Sequence, residues 1–507
     1  MTRHHDYSHH VSSRDGSYRD VSSRNVSSRD GSYRDVSSRN VSSRNVSSRA
    51  GFTRAGFTRR RAVSLLALLA AGSLAVAGCN GATAAADDPV SLDYWLWDAN
   101  QLPAYQQCVE AFEQENPDID VRISQYGWDD YWRKLTASFV AGVGPDVFTD
   151  HLTRYPEYAD RGLLLDLKTL APTSDFDADE FQPGLADLWV GQEGQQFGMP
   201  KDFDTIALFY NKDMVKDAGL SPEDLDNLTW NPQDGGTFED LIAHLTIDKN
   251  GVRGDEDGFD PNHVAVYGLA SNGSGAVDGQ TQWSWLAGSM GWRHTNADVW
   301  GTEYNFDDPR VQNSLKWLFS LVQKGYMPPY TQVGTDPNPT QALGSGQAAI
   351  SANGSWMINT YAGLEGIDLG IASVPSGPVG HPVSMYNGLA DSISSQTEHP
   401  EEAAKFVSFL GSDECQVLVG ETGVVFPARP AGTQAAEQAF QDKGLDVSPF
   451  TDLVDKGHTM YFPVTEEYGR IEAVMTPVMD EIYIGSRDVS SLTEVNEQLN
   501  QILDSAG

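Results

Sequence analysis

The sequence predicts an α/β protein built as two compact lobes with a ligand cleft between them. Three observations carry that expectation. The chain has 507 residues, more than one hydrophobic core can serve, since single cores stop growing at roughly 250–300 residues. Residues 90–126 read as strand, helix and strand, the unit of a parallel sheet with a right-handed crossover. The stretch 198–220, GMPKDFDTIALFYNKDMVKDAGL, runs from a proline through small and acidic residues into a short apolar strand and an amphipathic helix start. It reads as the place where the chain leaves one lobe, crosses a cleft with Asp202 and Asp204 exposed, and enters the second.

Charge narrows the choice of partners. The chain carries 34 basic and 71 acidic residues, a formal charge of -37. Thirteen arginines and only five aspartates fall in the first 78 residues, so the remainder stands at 21 against 66, or -45. Such a surface repels nucleic-acid phosphates and anionic headgroups, so no nucleic acid is expected to bind the folded part. Cysteine is sparse: Cys79, Cys108 and Cys415, with no CxxC and no Cys/His cluster of the kind that holds structural zinc. No cofactor is expected.

Residues 1–61 form a repetitive leader with an arginine at every fifth position from Arg14 to Arg59. A period of five fits neither helix nor strand, and little there is apolar, so disorder is expected. A strict five-residue period also matches a fifteen-base repeat read as protein, which places the true start further along; peptides from residues 1–50 in the precursor would refute that. Residues 62–77 are a run of sixteen small and apolar side chains after three arginines. That is short for a bilayer span of about twenty residues and suits a signal-peptide core, 62–78. The ending Leu74-Ala75-Val76-Ala77-Gly78-Cys79 resembles the lipobox of bacterial lipoproteins, which implies a lipid on Cys79, a tether over 79–89 and attachment to the outer face of the cytoplasmic membrane. The arginines leave Sec and twin-arginine export both open.

From residue 90 the pattern is that of a folded lobe. Leu92, Tyr94 and Leu96 alternate with Asp93, Trp95 and Trp97, a strand. Pro103 opens a helix in which Tyr105, Cys108, Val109 and Phe112 share one face, and Asn116-Pro117 closes it. Residues 120–126 alternate again; a second helix over 131–140 and a strand over 146–149 extend the sheet. Ligands of open parallel sheets gather beyond the carboxyl ends of the strands, here Trp97-Asp98, Trp128-Asp129 and Asp150-His151. Indole faces pack on the C–H faces of sugar rings, while carboxylates and amides accept from their hydroxyls.

The run IALFYNKDMVKDAGL, followed by Leu228-Thr229-Trp230 and Thr237-Phe238-Glu239-Asp240-Leu241, and later Gly346-Gln347-Ala348-Ala349-Ile350 with Asn353-Gly354-Ser355-Trp356, resembles the extracellular solute-binding proteins of ABC importers, in the branch of maltose and oligosaccharide binders. The resemblance spans essentially all of 90–507. It implies a type II periplasmic-binding-protein fold, with a first lobe of 90–202 plus 394–428 and a second of 203–393 plus 429–507. It further implies a monomeric, non-catalytic receptor that closes on a carbohydrate and hands it to ABC permease subunits. The sugar-stacking tryptophan falls on Trp356, the acidic ligand before the crossing on Asp204, an aromatic near the last helices on Tyr468, and the positions after the G-P-D motif on Asp150 and Arg154. An aspartate in place of the aromatic at Asp150 departs from the family and favours a smaller or differently shaped glycan. With the strand-end residues Trp97, Asp98 and Asp129, and with Gln282, Trp285 and Asn387, these make the expected ligand set.

Residues 276–291 are rich in turns and aromatics, with Gln282, Trp283, Trp285 and Trp292 close together, and the indoles at i and i+2, Trp283 and Trp285, are not expected both to face one helical core. Cys108 and Cys415 both fall in the first lobe and in an oxidising compartment, which leaves a disulfide or two buried thiols. Asp248, Asn250, Asp255 and Asp257 gather oxygen ligands suited to Ca²⁺, but without EF-hand spacing, so a solvated acidic turn is the competing reading. Two rival functions stay open. Paired carboxylates near tryptophans also describe a secreted carbohydrate-active enzyme, although no GxSxG, HExxH or P-loop is present. A polyol or glycerol phosphate could replace the sugar, with Lys201, Arg154 and Arg429 as the candidate phosphate partners.

Overall fold

The structure is a computed structural model that describes residues 89–333 and 338–506. The leader, the apolar run 62–78 and Cys79 lie outside the described residues. No described helix is long and apolar enough to cross a membrane.

The alternation of the first strand is realised directly. In β1 (Val90–Leu96) Leu92, Tyr94 and Leu96 are buried and Asp93 is exposed. Helix α1 (Leu102–Glu115) has its proline in the first turn and buries Tyr105, Cys108, Val109 and Phe112, the face that the spacing predicts. It returns the chain to β2 (Ile119–Gln125), parallel to β1 from Val90↔Ile119 to Leu96↔Gln125. Helix α2 (Trp128–Ala141) starts three residues earlier than expected and stops at Gly142, whose φ of 69° is the left-handed cap a glycine adopts without strain. Strand β3 (Val147–His151) then pairs parallel to the other side of β1.

Beyond β3 the sheet turns antiparallel. Its order is β11-β4-β10-β3-β1-β2, formed with β4 (Met199–Asp204), β10 (Ser384–Ile393) and β11 (Phe426–Pro427), while β12 (Thr459–Tyr461) pairs with the start of β10. A second sheet has the order β6-β7-β8-β5-β9. It comprises β5 (Ile206–Asn211), β6 (Ile247–Asp248), β7 (Val264–Leu269), β8 (Ala348–Gly354) and β9 (Leu369–Ser373). All of β10 pairs within the first sheet, so the return from the second sheet falls between Ser373 and Ser384, upstream of the boundary at 393–394 that the resemblance implies.

The first crossing is the single residue Thr205, between the end of β4 and the start of β5. It is tied on three sides: its Oγ1 donates to Phe450 O (2.9 Å), its carbonyl accepts from Ser355 N (3.1 Å), and Ile206 N donates to Ser384 Oγ (2.7 Å). Asp202 and Asp204, expected to be exposed, are 1% and 5% exposed. Every residue of both strands is buried, because each is an inner strand of its sheet, β4 between β11 and β10 and β5 between β8 and β9.

Behind β4 lies a buried charge cluster. Lys201 Nζ donates to Tyr94 Oη (2.8 Å), lies 3.1 Å from the centre of the Tyr105 ring and pairs with Asp391 on β10, whose Oδ1 also accepts from Tyr94 Oη and Thr149 Oγ1. Nearby, Cys108 on α1 and Cys415 on the helix Asp413–Thr422 are joined as a disulfide, with Cα atoms 5.2 Å apart.

Two expectations are corrected in the second half. Trp283 and Trp285 are both buried: Trp283 precedes the helix Ser284–Ser289 as its cap and packs against Trp292 and Phe306, while Trp285 packs edge-on against Phe238, so the two indoles enter the core on different sides. The acidic turn is closed by its own backbone, since Asp248 Oδ1 accepts from Asn250 N and Val252 N and Oδ2 from Asp260 N. No group of three or more metal-ligating side chains occurs among the described residues.

Candidate functional site

The carboxyl ends of β3 and β4 and the start of β10 lie side by side, and their side chains form the floor of a cavity of about 500 Å³. Asn387 on β10 stands opposite Asp204 at the end of β4, and Leu389 opposite His151 at the end of β3. The ladder therefore sets His151, Asn387, Leu389 and Asp204 in one patch, and all four line the cavity. Asn387 Nδ2 and His151 Nε2 are 3.2 Å apart; the other end of the Asn387 amide, 97% buried, has no partner.

Aromatic rings form the walls. Trp97 follows β1, Trp128 opens α2, and their rings meet edge to face at 5.2 Å, with the His151 ring 5.4 Å from Trp128 and Phe462 a further 5.5 Å on. Trp128 is 45% exposed, the most exposed large hydrophobic side chain facing this cavity. Trp356 comes from the second sheet's side, two residues after β8, and lies across Gly354: a Cβ on that glycine would sit 1.8 Å from the indole. The glycine is what lets the ring fold back.

Four carboxylates border the same space: Asp98, Asp204, Asp278 and Glu472. Asp204 accepts from Ser355 Oγ at 2.8 Å, a bond to the last residue of β4 from the turn after β8. Burial pushes Asp204 up to about 7, partly offset by Ser355. Burial likewise raises Asp98, whose Oδ1 accepts from Asn100 N. Asp278 is pushed up to about 6, again chiefly by burial, and accepts from Tyr468 Oη at 2.9 Å and from Gln280 N. His151 is driven down to about 3 by burial and then by Arg154, so it is a neutral imidazole at pH 7. No lysine or arginine lines the cavity among the described residues.

Of the expected ligand set, Trp97, Asp98, Asp204, Trp356 and Asn387 come together here. The others do not line the cavity. Asp150 is fully buried on the opposite face of β3, accepting from Ser392 Oγ, because a strand alternates and it is His151 that meets the cavity. Asp129 is exposed on the first turn of α2. Arg154 lies behind Glu472, 4.0 Å from its carboxylate. Gln282 donates to Asn272 O and Trp285 is core. Tyr468 is buried one layer back, holding Asp278. The candidate phosphate partners are also engaged elsewhere: Lys201 is buried with Asp391, and Arg429 bridges Glu180 and covers the Phe181 ring. Of the lining residues outside the expected set, Asp278, Gln280, Phe462 and Glu472 come from loops and a helix start with no periodic signal, while Trp128 and His151 had one, their place at expected strand ends.

The motif matches now have a frame. Residues 107–445 match the family model of bacterial extracellular solute-binding proteins. The chain belongs to that family. Maltodextrin-binding protein MdxE of Bacillus subtilis (strain 168) is 25% identical over 418 residues, covering 78% of this chain and 87% of its own length. Among solved structures, UspC of M. tuberculosis superposes with a TM-score of 0.66 at 26% identity, covering 82% of this chain and all of that one. A Listeria monocytogenes ABC substrate-binding protein in complex with cycloalternan gives 0.68 at 20% identity, with the same coverage. As an extracellular solute-binding protein, the chain is an α/β structure of the two-lobed type, with its cavity at the junction of the two sheets.

Proposed function

We propose that this solute-binding protein captures a mono- or oligosaccharide in the cavity between Trp97, Trp128 and Trp356, closes its lobes on it and delivers it to an ABC permease without chemical turnover. The observation that carries the reading is the meeting of exposed indole surface with buried acceptors on residues from both sheets. Indoles cover the apolar faces of a pyranose, and Asp98, Asp204 and the Asn387 amide take its hydroxyl hydrogens. A maltodextrin-binding relative and a cycloalternan-bound neighbour support a carbohydrate. In this reading the lobe boundaries follow the sheets, Cys79 carries the lipid, and the protein works as a monomer on the outer face of the membrane. Among the described residues no lysine or arginine lines the cavity to meet the phosphate of glycerol phosphate.

The test is a thermal-shift panel of mono- and oligosaccharides. A ligand at 100 times its Kd that binds only the folded state adds about 2.7 kcal/mol of stability. A sugar should raise the midpoint in the native protein and fail to do so in Trp356→Ala, and it should be recovered intact afterwards. Silence across all sugars with a shift for polyols or peptides would overturn the substrate, and hydrolysis of the sugar would overturn the receptor.

A further inference from the structure

We infer that the captured sugar carries a positively charged amine, so that the cavity selects an amino sugar over its neutral counterpart. This rests on the sugar-receptor reading of the same site and narrows it.

The acids are more numerous than a neutral sugar requires. Asp98, Asp204, Asp278 and Glu472 border one space of about 500 Å³, and among the described residues no lysine or arginine lines it. One cation stands near, Arg154 behind Glu472 at 4.0 Å, and it serves that carboxylate from outside the lining. Lys201 is spent on Asp391 and Tyr94. A neutral ligand entering this space strips water from several carboxylates and returns only hydroxyl donors, which leaves like charges facing one another at reduced dielectric. An ammonium group removes that conflict: it supplies three donors and one positive charge together.

Two independent features point the same way. Asn387 Oδ1, on the cavity floor in a side chain 97% buried, has no partner. It is an acceptor paired across the ladder with Asp204 and calls for a donor on the ligand at that end. The walls are indoles, Trp97 and Trp128 near right angles to each other and Trp356 in the same lining. Indole faces attract cations as well as C–H surfaces, so the walls that hold a sugar ring also hold an ammonium. The upward displacement of Asp204 to about 7 and of Asp278 to about 6 is what carboxylates show when buried without a cation.

The experiment is isothermal titration of the purified protein, near neutral pH, with glucose and cellobiose, each beside its 2-amino-2-deoxy counterpart and the N-acetylated form of that amine, and with spermidine as a cation without a sugar. The amine form should bind at least about tenfold tighter than both partners of its set. Asp278→Asn and Glu472→Gln should each reduce that preference several-fold, read within each variant as the ratio of amine to neutral-sugar affinity; Glu472 is partly exposed, so its variant is expected to fold even where Asp278→Asn does not. Equal or tighter binding of the neutral forms would overturn the inference and leave the sugar receptor standing. So would binding of no amine while a neutral sugar still raises the melting midpoint in the wider panel. Binding of spermidine with no sugar bound at all would overturn the sugar-receptor reading as well.

Discussion

Lys201 Nζ and Asp391 Oδ1 stand 3.6 Å apart across the β4–β10 pair, with side chains 1% and 2% exposed. Burial lowers the Lys201 ammonium, and Asp391 opposes that shift. Removing one partner from such a pair leaves a charge in the core. Lys201→Met should therefore cost about 3–5 kcal/mol of unfolding free energy, read from urea denaturation. The double variant Lys201→Met with Asp391→Leu should recover most of the loss; a single variant as stable as the native protein would show that the pair is not held in the folded state.

The disulfide Cys108–Cys415 closes a loop with a sequence separation of 307. It joins α1 to the helix Asp413–Thr422, which lies between β10 and β11, so its removal frees two distant parts of the sequence from each other in the unfolded chain. Cys108→Ala with Cys415→Ala should lower stability by about 2–5 kcal/mol. Alkylation of both thiols in unreduced protein would show that the bond does not form.

Asp150 gives a pH-dependent contribution with a defined sign. Burial raises its carboxyl in the folded state to about 8, against about 3.9 when unfolded. A raised carboxylate binds its proton more tightly in the native state, so its contribution is complete below about pH 4 and is lost as pH rises through about 8. Asp150→Asn cannot ionise and should gain stability relative to the native protein over that window, by a few kcal/mol at most. Parallel denaturation curves of the two proteins at pH 5 and pH 8 would measure it, and a constant difference between them would show that Asp150 is ionised throughout.

Gly354→Ala places a Cβ 1.8 Å from the Trp356 ring. The φ of -84° at that residue suits any amino acid, so the effect falls on the indole and not on the backbone. The expected result is a displaced tryptophan, seen as a change in fluorescence, with sugar affinity weakened about tenfold or more and a smaller loss of stability. Unchanged fluorescence and affinity would mean that the ring does not lie over the glycine.

The sequence made the local elements legible where periodicity is strong. The alternation of 90–97 and the helical face of Tyr105, Cys108, Val109 and Phe112 are readable from spacing; the stretch 198–220 marks a crossing, but not that it is one residue long or that Asp202 and Asp204 are buried beside it. Sidedness was less so. Every residue of β3 is buried, so no polar alternation marks which side chain meets the cavity, and Asp150 was chosen where His151 is the lining residue. Residues brought by tertiary placement were invisible, as with Asp278 on a loop and Glu472 on the helix Tyr468–Tyr483. Trp285 misled for the opposite reason: a large core can take two neighbouring indoles when one precedes the helix and the other lies on it.

Thr205 is one of at least two places where the chain passes between the sheets, the other lying between Ser373 and Ser384. A strap of one residue has only its own two soft dihedrals to give, so a swing of one sheet against the other is concentrated there. The bond from Ser355 to Asp204 spans the same point and would be strained by the same swing.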